Sequence, residues 1–181
     1  LQDRVWDITG YGKIDEDTLF RSTDDEVVLL AEDSIENDAH QFYELPLPDS
    51  FLRSQRVARS LRVTLAYSPP VRTTRLDYLA TKISFRLVKG ASLEMVQKHF
   101  NQDYKNSVKT IPDARAADRT ITSQLREKGT LQSSIWKFRQ LNPSEKWFVV
   151  VTRQDKEWGA TQCGGFENYA LVVTVSDREN Q

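Results

Sequence analysis

Few side chains in this 181-residue sequence are suited to chemistry. The imidazoles are His40 and His99, and the lone thiol is Cys163. A hydrolytic triad needs a nucleophile, a base within hydrogen-bond reach and an acid that orients the base. No serine stands in a G-x-S-x-G elbow. Ser22, Ser34, Ser50 and Ser134 carry no local mark of a nucleophile. His40 opens an alternating stretch and His99 precedes Phe100 in a helical one, settings in which a histidine reads as a packing or surface residue. Cys163 sits in "TQCGGF", where two glycines permit close backbone approach but no flanking motif activates the thiol. Two histidines and one cysteine cannot build a zinc centre without carboxylates, and neither C-x-x-C nor H-E-x-x-H occurs. The acidic stretches "TDDE" (23–26) and "AEDSIEND" (31–38) lack the D-x-D-x-D-G alternation of a calcium loop and read as solvated turns. "GYG" at 10–12 lacks the Lys-Ser/Thr or third glycine of a phosphate cradle. The residues therefore assign no catalytic group, no metal ligand and no cofactor.

The elements around these residues are mostly strands. "SLRVTLAY" (60–67) puts Leu61, Val63, Leu65 and Tyr67 on one face and Arg62, Thr64 and Ala66 on the other. "SPP" then stops it, because proline cannot donate to a ladder. "KISFRLV" (82–88) alternates with Ile83, Phe85 and Leu87 on one face, and "HQFYELPLP" (40–48) sets Tyr43, Leu45 and Leu47 opposite Phe42 and Glu44. "EVVLLA" (26–31), "WFVVVT" (147–152) and "YALVVTV" (169–175) are unbroken apolar runs of strand length, and "LQSSIWKF" (131–138) is a weaker strand. About seven strands separated by turn signals predict a mainly β fold, an antiparallel, jelly-roll-like sandwich.

Two helical stretches fall in one insertion, at about 91–129. "ASLEMVQKHF" (91–100) spaces Leu93, Val96 and Phe100 along one face, with Ser92 placed to cap. "PDARAADRTITSQLREKG" (112–129) carries a thinner stripe of Ala114, Ala117, Ile121 and Leu125. An insertion of this length in a sandwich is either functional or mobile.

Bulk properties narrow the partners. Hydrophobic residues at 39% and charged residues at 28% give an ordinary globular profile. A net charge of −1 argues against a dedicated nucleic-acid binder. No window approaches the roughly 18 apolar residues of a membrane helix, and no membrane partner is expected. One cysteine excludes an intrachain disulfide and favours a reducing, cytoplasmic setting. Charge is unevenly placed: residues 1–50 hold 14 acids and 3 bases, the remainder 12 acids and 22 bases. Either the acidic leader neutralises the basic body, or it belongs to a different domain.

A resemblance bears on the second alternative. "GYGKIDEDTLF" (10–20) resembles the last segment of a subtilisin-like serine peptidase domain, whose "G-[YH]-G-x-[IVP]-[DN]" signature matches Gly10, Tyr11, Gly12, Lys13, Ile14 and Asp15. "HQFYELPLPDSF" and "SLRVTLAYSPPVRTTRLDYLATKISFRLVKG" (60–90) resemble the C-terminal β-sandwich extension of a group of bacterial subtilases, with "RVTLAYSPPVR…DYLA" the most specific part. "YALVVTV" fits the closing strand of such extensions, and residues 91–130 are least covered. The resemblance implies a remnant of a catalytic domain over residues 1–22 and an accessory sandwich over 23–181. The family's "GTS-M-A-x-P", "HGT" and "D-[ST]-G" motifs do not occur here. In the family they precede the "GYG" signature, so the expectation is a non-catalytic piece of a hydrolase whose partner is the catalytic domain of the same polypeptide.

Two surface readings remain open on sequence. The loop "SPPVRTTRLDYLA" (68–80) offers Arg72, Arg75, Asp77 and Tyr78 either as a self-pinned rigid loop or as an interdomain docking surface. Trp136, Trp147 and Trp158 are either core and rim residues or the aromatic floor of a free-standing carbohydrate- or protein-binding module.

Overall fold

Residues 147–151, "WFVVV", show no polar alternation, and the structure supplies the reason: both of their faces are covered. The structure is a computed structural model that describes residues 26–47, 59–69, 81–101, 108–111, 130–138, 146–155 and 165–176. These contain eight strands and one helix: β1 (Glu26–Ile35), β2 (His40–Glu44), β3 (Arg59–Tyr67), β4 (Thr81–Gly90), α1 (Leu93–Asn101), β5 (Lys109–Thr110), β6 (Leu131–Phe138), β7 (Lys146–Asp155) and β8 (Glu167–Ser176).

The strands form two four-stranded sheets, ordered β1-β8-β3-β6 and β2-β7-β4-β5, with every pairing antiparallel. Strand 1 lies beside 8, 2 beside 7, 3 beside 6 and 4 beside 5. That is the order of one long hairpin rolled over on itself, a jelly-roll-like sandwich whose β4–β5 end is reduced to two paired rungs.

The two sheets enclose the main core. Leu61, Val63, Leu65 and Tyr67 of β3, and Tyr169, Leu171, Val173 and Val175 of β8, all point into it, as their period-2 spacing requires. Trp147, Val149 and Val151 face them from β7, and Ile83 and Leu87 from β4. The alternate residues Phe148 and Val150 point the other way, into a second cluster with Val88 and Val96. That cluster is closed by α1. Each fully buried aliphatic side chain contributes roughly 1.5–3 kcal/mol relative to exposure, so β7, buried on both sides, is the most strongly fixed strand of the fold.

The helix forms where its spacing predicts. The Ser92 hydroxyl accepts the Met95 N–H at 3.3 Å, and Glu94 in the first turn with Lys98 and His99 in the last complement the helix dipole. Gly90 lets it approach: a Cβ there would stand 3.0 Å from Val96 Cγ2.

Three details differ from the sequence reading. β1 continues through Glu32 and Asp33 to Ile35, because an edge strand tolerates acidic side chains that its ladder does not bury. β2 ends at Glu44, with Leu45 adding one more backbone bond to the Trp147 carbonyl. β5 is an eighth strand inside the expected insertion, too short at two residues to produce any periodicity. The second helical stretch, 112–129, lies outside the described residues, as does the opening segment at 1–22.

Candidate functional site

Among the described residues, three places bear on function. The first is a set of cross-links between the two sheets. Arg153 continues the core-facing parity of Trp147, Val149 and Val151, so its side chain enters the core and is fully buried. Its Nε and Nη2 fork onto Asp155 at 2.9 and 2.7 Å, and its Nη1 donates to the carbonyls of Ile35 at 2.8 Å and Gly165 at 2.7 Å. Gln132 Nε2 donates to the Ile83 carbonyl at 2.6 Å, and Trp136 Nε1 to the Ile111 carbonyl at 3.1 Å. At the β1–β2 side, Tyr43 of one sheet donates to Asp33 Oδ2 of the other at 3.0 Å and shares a hydrogen bond with Tyr169. Burial raises both phenols above the ordinary tyrosine value, so both hydroxyls stay protonated donors at neutral pH. These contacts tie the two sheets together; the Arg153 group is buried, whereas Asp33 is exposed and, with Tyr169, borders a surface hollow.

The second place is the layer between the β2-β7-β4 face and α1. His40 Nδ1 and Thr152 Oγ1 share a hydrogen bond of 2.9 Å. The His40 ring meets Phe42 and Phe100 edge-on, with centroids 6.2 and 5.4 Å away, and His99 meets the same Phe100 at 5.3 Å. Burial, then the Arg86 guanidinium, hold His40 below the ordinary imidazole value, while Asp38 pulls the other way. Among the described residues no carboxylate is hydrogen-bonded to His40, so the Thr152–His40 pair lacks the orienting acid of a triad. Ser34 and Ser134 belong to the other sheet. His40 packs between Thr152, Phe42 and the Phe100 ring of the last turn of α1.

The third place is the outer face of the β1-β8-β3-β6 sheet. Register places Leu30 beside Val172, and Glu32, Ala170, Ala66 and Leu131 in one row across all four strands. A hollow of about 740 Å³ lies at the strand ends beside this face, where Ala66, Ala170 and Ser34 leave space and Asp33, Tyr67 and Tyr169 of the core-facing parity also line it. Leu131 is 69% exposed beside it and Leu30 39%. This row was missed in the sequence because Ala66 and Leu131 belong to strands far apart in the chain; alternation alone assigns Ala66 to the outer face.

Of the residues singled out by sequence, Trp136 and Trp147 are each 4% exposed and belong to the core. Trp158, Cys163, and the loop residues Arg72, Arg75, Asp77 and Tyr78 lie outside the described residues. The 31–38 stretch is not a solvated turn throughout: Ala31 to Ile35 complete β1, and only the residues after it turn, with Asp38 at a φ of 57°. Among the described residues no group of three His, Cys, Asp or Glu side chains is placed to hold a metal ion.

No family model matches the chain. A 98-residue stretch is 39% identical to an uncharacterized protein, y4bN, of Sinorhizobium fredii. That stretch is 54% of this chain and 22% of the relative, so the chain spans about a fifth of the length of the curated protein it matches.

Proposed function

We propose that this chain is the non-catalytic, C-terminal β-sandwich of a subtilisin-like serine endopeptidase, which packs on the catalytic domain of the same polypeptide, stabilises it and guides protein substrates. The observation that carries the reading is the asymmetry of the sandwich. One sheet is covered by α1, whereas the other turns Leu30, Val172 and the Ala170–Ala66–Leu131 row outward. An accessory domain needs a face to bury against its neighbour, and this one sets those apolar side chains beside Glu32, Arg62 and Thr64. The antiparallel two-sheet architecture agrees with the extension that "RVTLAYSPPVR…DYLA" resembles, and the matched relative holds its 98 similar residues within a chain several times longer.

The carbohydrate-binding alternative is less well supported, because a sugar cannot stack on Trp136 or Trp147 when both are core residues. The reading is tested by assaying purified residues 1–181 for casein hydrolysis with and without a serine-peptidase inhibitor. The expected result is no inhibitor-sensitive hydrolysis. Turnover that the inhibitor abolishes overturns the non-catalytic assignment.

A further inference from the structure

The α1 layer is held by very little. The helix has nine residues, too few to be stable alone in water, so its order depends on what it docks against. Val96 fills the pocket of Val88, Phe148 and Val150, and Leu93 and Phe100 pack at its edge. Glu94, Met95, Lys98 and Asn101 face solvent. The last turn rests on Phe100, whose ring touches Phe42 at a centroid distance of 5.9 Å and His40 at 5.4 Å. A titratable ring therefore forms part of the seat of the last turn.

We propose that α1 is an acid-released cover of the β2-β7-β4 face, and that His40 is the group whose protonation loosens it. The neutral ring suits its position: one nitrogen is bonded to Thr152 and the ring edges meet two phenyl groups. An imidazolium there is a partly desolvated cation. The charged groups bearing on it, among the described residues, are Arg86 from β4, which opposes the charge, and Asp38 from the β1–β2 turn, which favours it. From β7 it meets the neutral Thr152, and α1 brings a second imidazole, His99, against the same Phe100 ring. Burial and Arg86 outweigh Asp38. The seated state consequently binds the His40 proton less readily than a released state in which the ring is solvated. As pH falls through the ordinary imidazole range, the released state takes up the proton first and gains population. Release uncovers Phe42, Val88, Phe148 and Val150, an apolar strip on the opposite side of the sandwich from the Leu30 and Leu131 face.

The test is hydrogen exchange of residues 1–181 at about pH 7.5 and about pH 5, either side of the ordinary imidazole value of about 6.5, with intrinsic exchange rates corrected. Protection of amides 93–101 is expected to drop at least about threefold on acidification while β3 and β8 amides hold theirs. H40Q is expected to remove that drop. R86Q, at an exposed position, is expected to lessen it by removing the cation that opposes the charge on His40. Protection of 93–101 that is the same at both pH values, or a drop that survives H40Q undiminished, overturns the proposal. If H40Q does not fold, the R86Q comparison decides alone, and an unaltered drop in R86Q is the overturning result.

Discussion

Arg153 is fully buried and forks onto Asp155, two residues further along the same strand, while its remaining nitrogen reaches across the core to the Ile35 carbonyl of the other sheet. The side chains of this ion pair are 0% and 1% exposed. Taking both charges out of water is costly, and the fork with two further carbonyl acceptors is what offsets it. R153A leaves Asp155 buried without its cation and is expected to lower stability by about 3–5 kcal/mol. The double change R153L/D155L removes both charges and is expected to recover much of that loss, though the Ile35 and Gly165 carbonyls then lose their donor. Urea unfolding of the three proteins checks this; a single variant as stable as the parent contradicts it.

The Tyr43–Tyr169 contact at the β1–β2 side is a second inter-sheet tie. Y43F removes the donor to Asp33 and strips the Tyr169 hydroxyl of its partner in the core, which is expected to cost about 1–3 kcal/mol. Y43F/Y169F is expected to be more stable than Y43F. Because both folded-state values are raised, the native state holds these protons longer than the unfolded one. Stability is therefore expected to fall as pH rises beyond the ordinary tyrosine value of about 10, and to fall less steeply in Y43F/Y169F. Parallel alkaline unfolding curves for the two proteins would contradict the assignment.

Glu167 presents the opposite situation to a stabilising carboxylate. Burial raises its value first, Asp155 adds to the rise, and Arg153 offsets part of it. A raised folded-state value means that ionised Glu167 opposes folding, so stability declines as pH rises from the ordinary glutamate value of 4.5 through the folded one. E167Q is expected to raise the melting temperature slightly at neutral pH, and the gain is expected to vanish in acid. Scanning calorimetry at both conditions reads this, and a lowered melting temperature at neutral pH would refute it.

How much of this was legible in sequence follows from which surfaces each strand buries. β3, and β4 up to Leu87, face the main core on one side, so alternation at Leu61, Val63 and Leu65, and at Ile83 and Leu87, predicted them, while Val88 turns into the second cluster. β7 is buried on both sides, so it showed length and β-branching but no alternation, and the covering helix had to be seen before its run made sense. The polar ties were hidden for a different reason. Nothing in the composition marks an arginine as buried, yet parity does: Trp147, Val149, Val151 and Arg153 share one face, and Asp155 continues it. The outer-face row needed the pairing register, which links Glu32, Ala66, Leu131 and Ala170 across more than a hundred residues of chain.

The approach of α1 to its sheet depends on Gly90. A Cβ at that position stands 3.0 Å from a methyl of Val96, which is itself fully buried and has no room to retreat. G90A is expected to cost about 1–3 kcal/mol through overpacking, and a double change to G90A/V96A is expected to relieve the clash while giving up the Val96 packing. Thermal unfolding of G90A that matches the parent would show that the helix shifts freely.

The central claim is that a serine peptidase domain precedes this sandwich in the same polypeptide. It is tested most directly by labelling the natural polypeptide with a fluorophosphonate and mapping the modified peptide. The account predicts a labelled serine within a "GTS-M-A-x-P" segment upstream of Leu1, on the chain that carries "RVTLAYSPPVR". A reading frame that opens near Leu1, or a polypeptide that takes no label and carries no such segment, would contradict it.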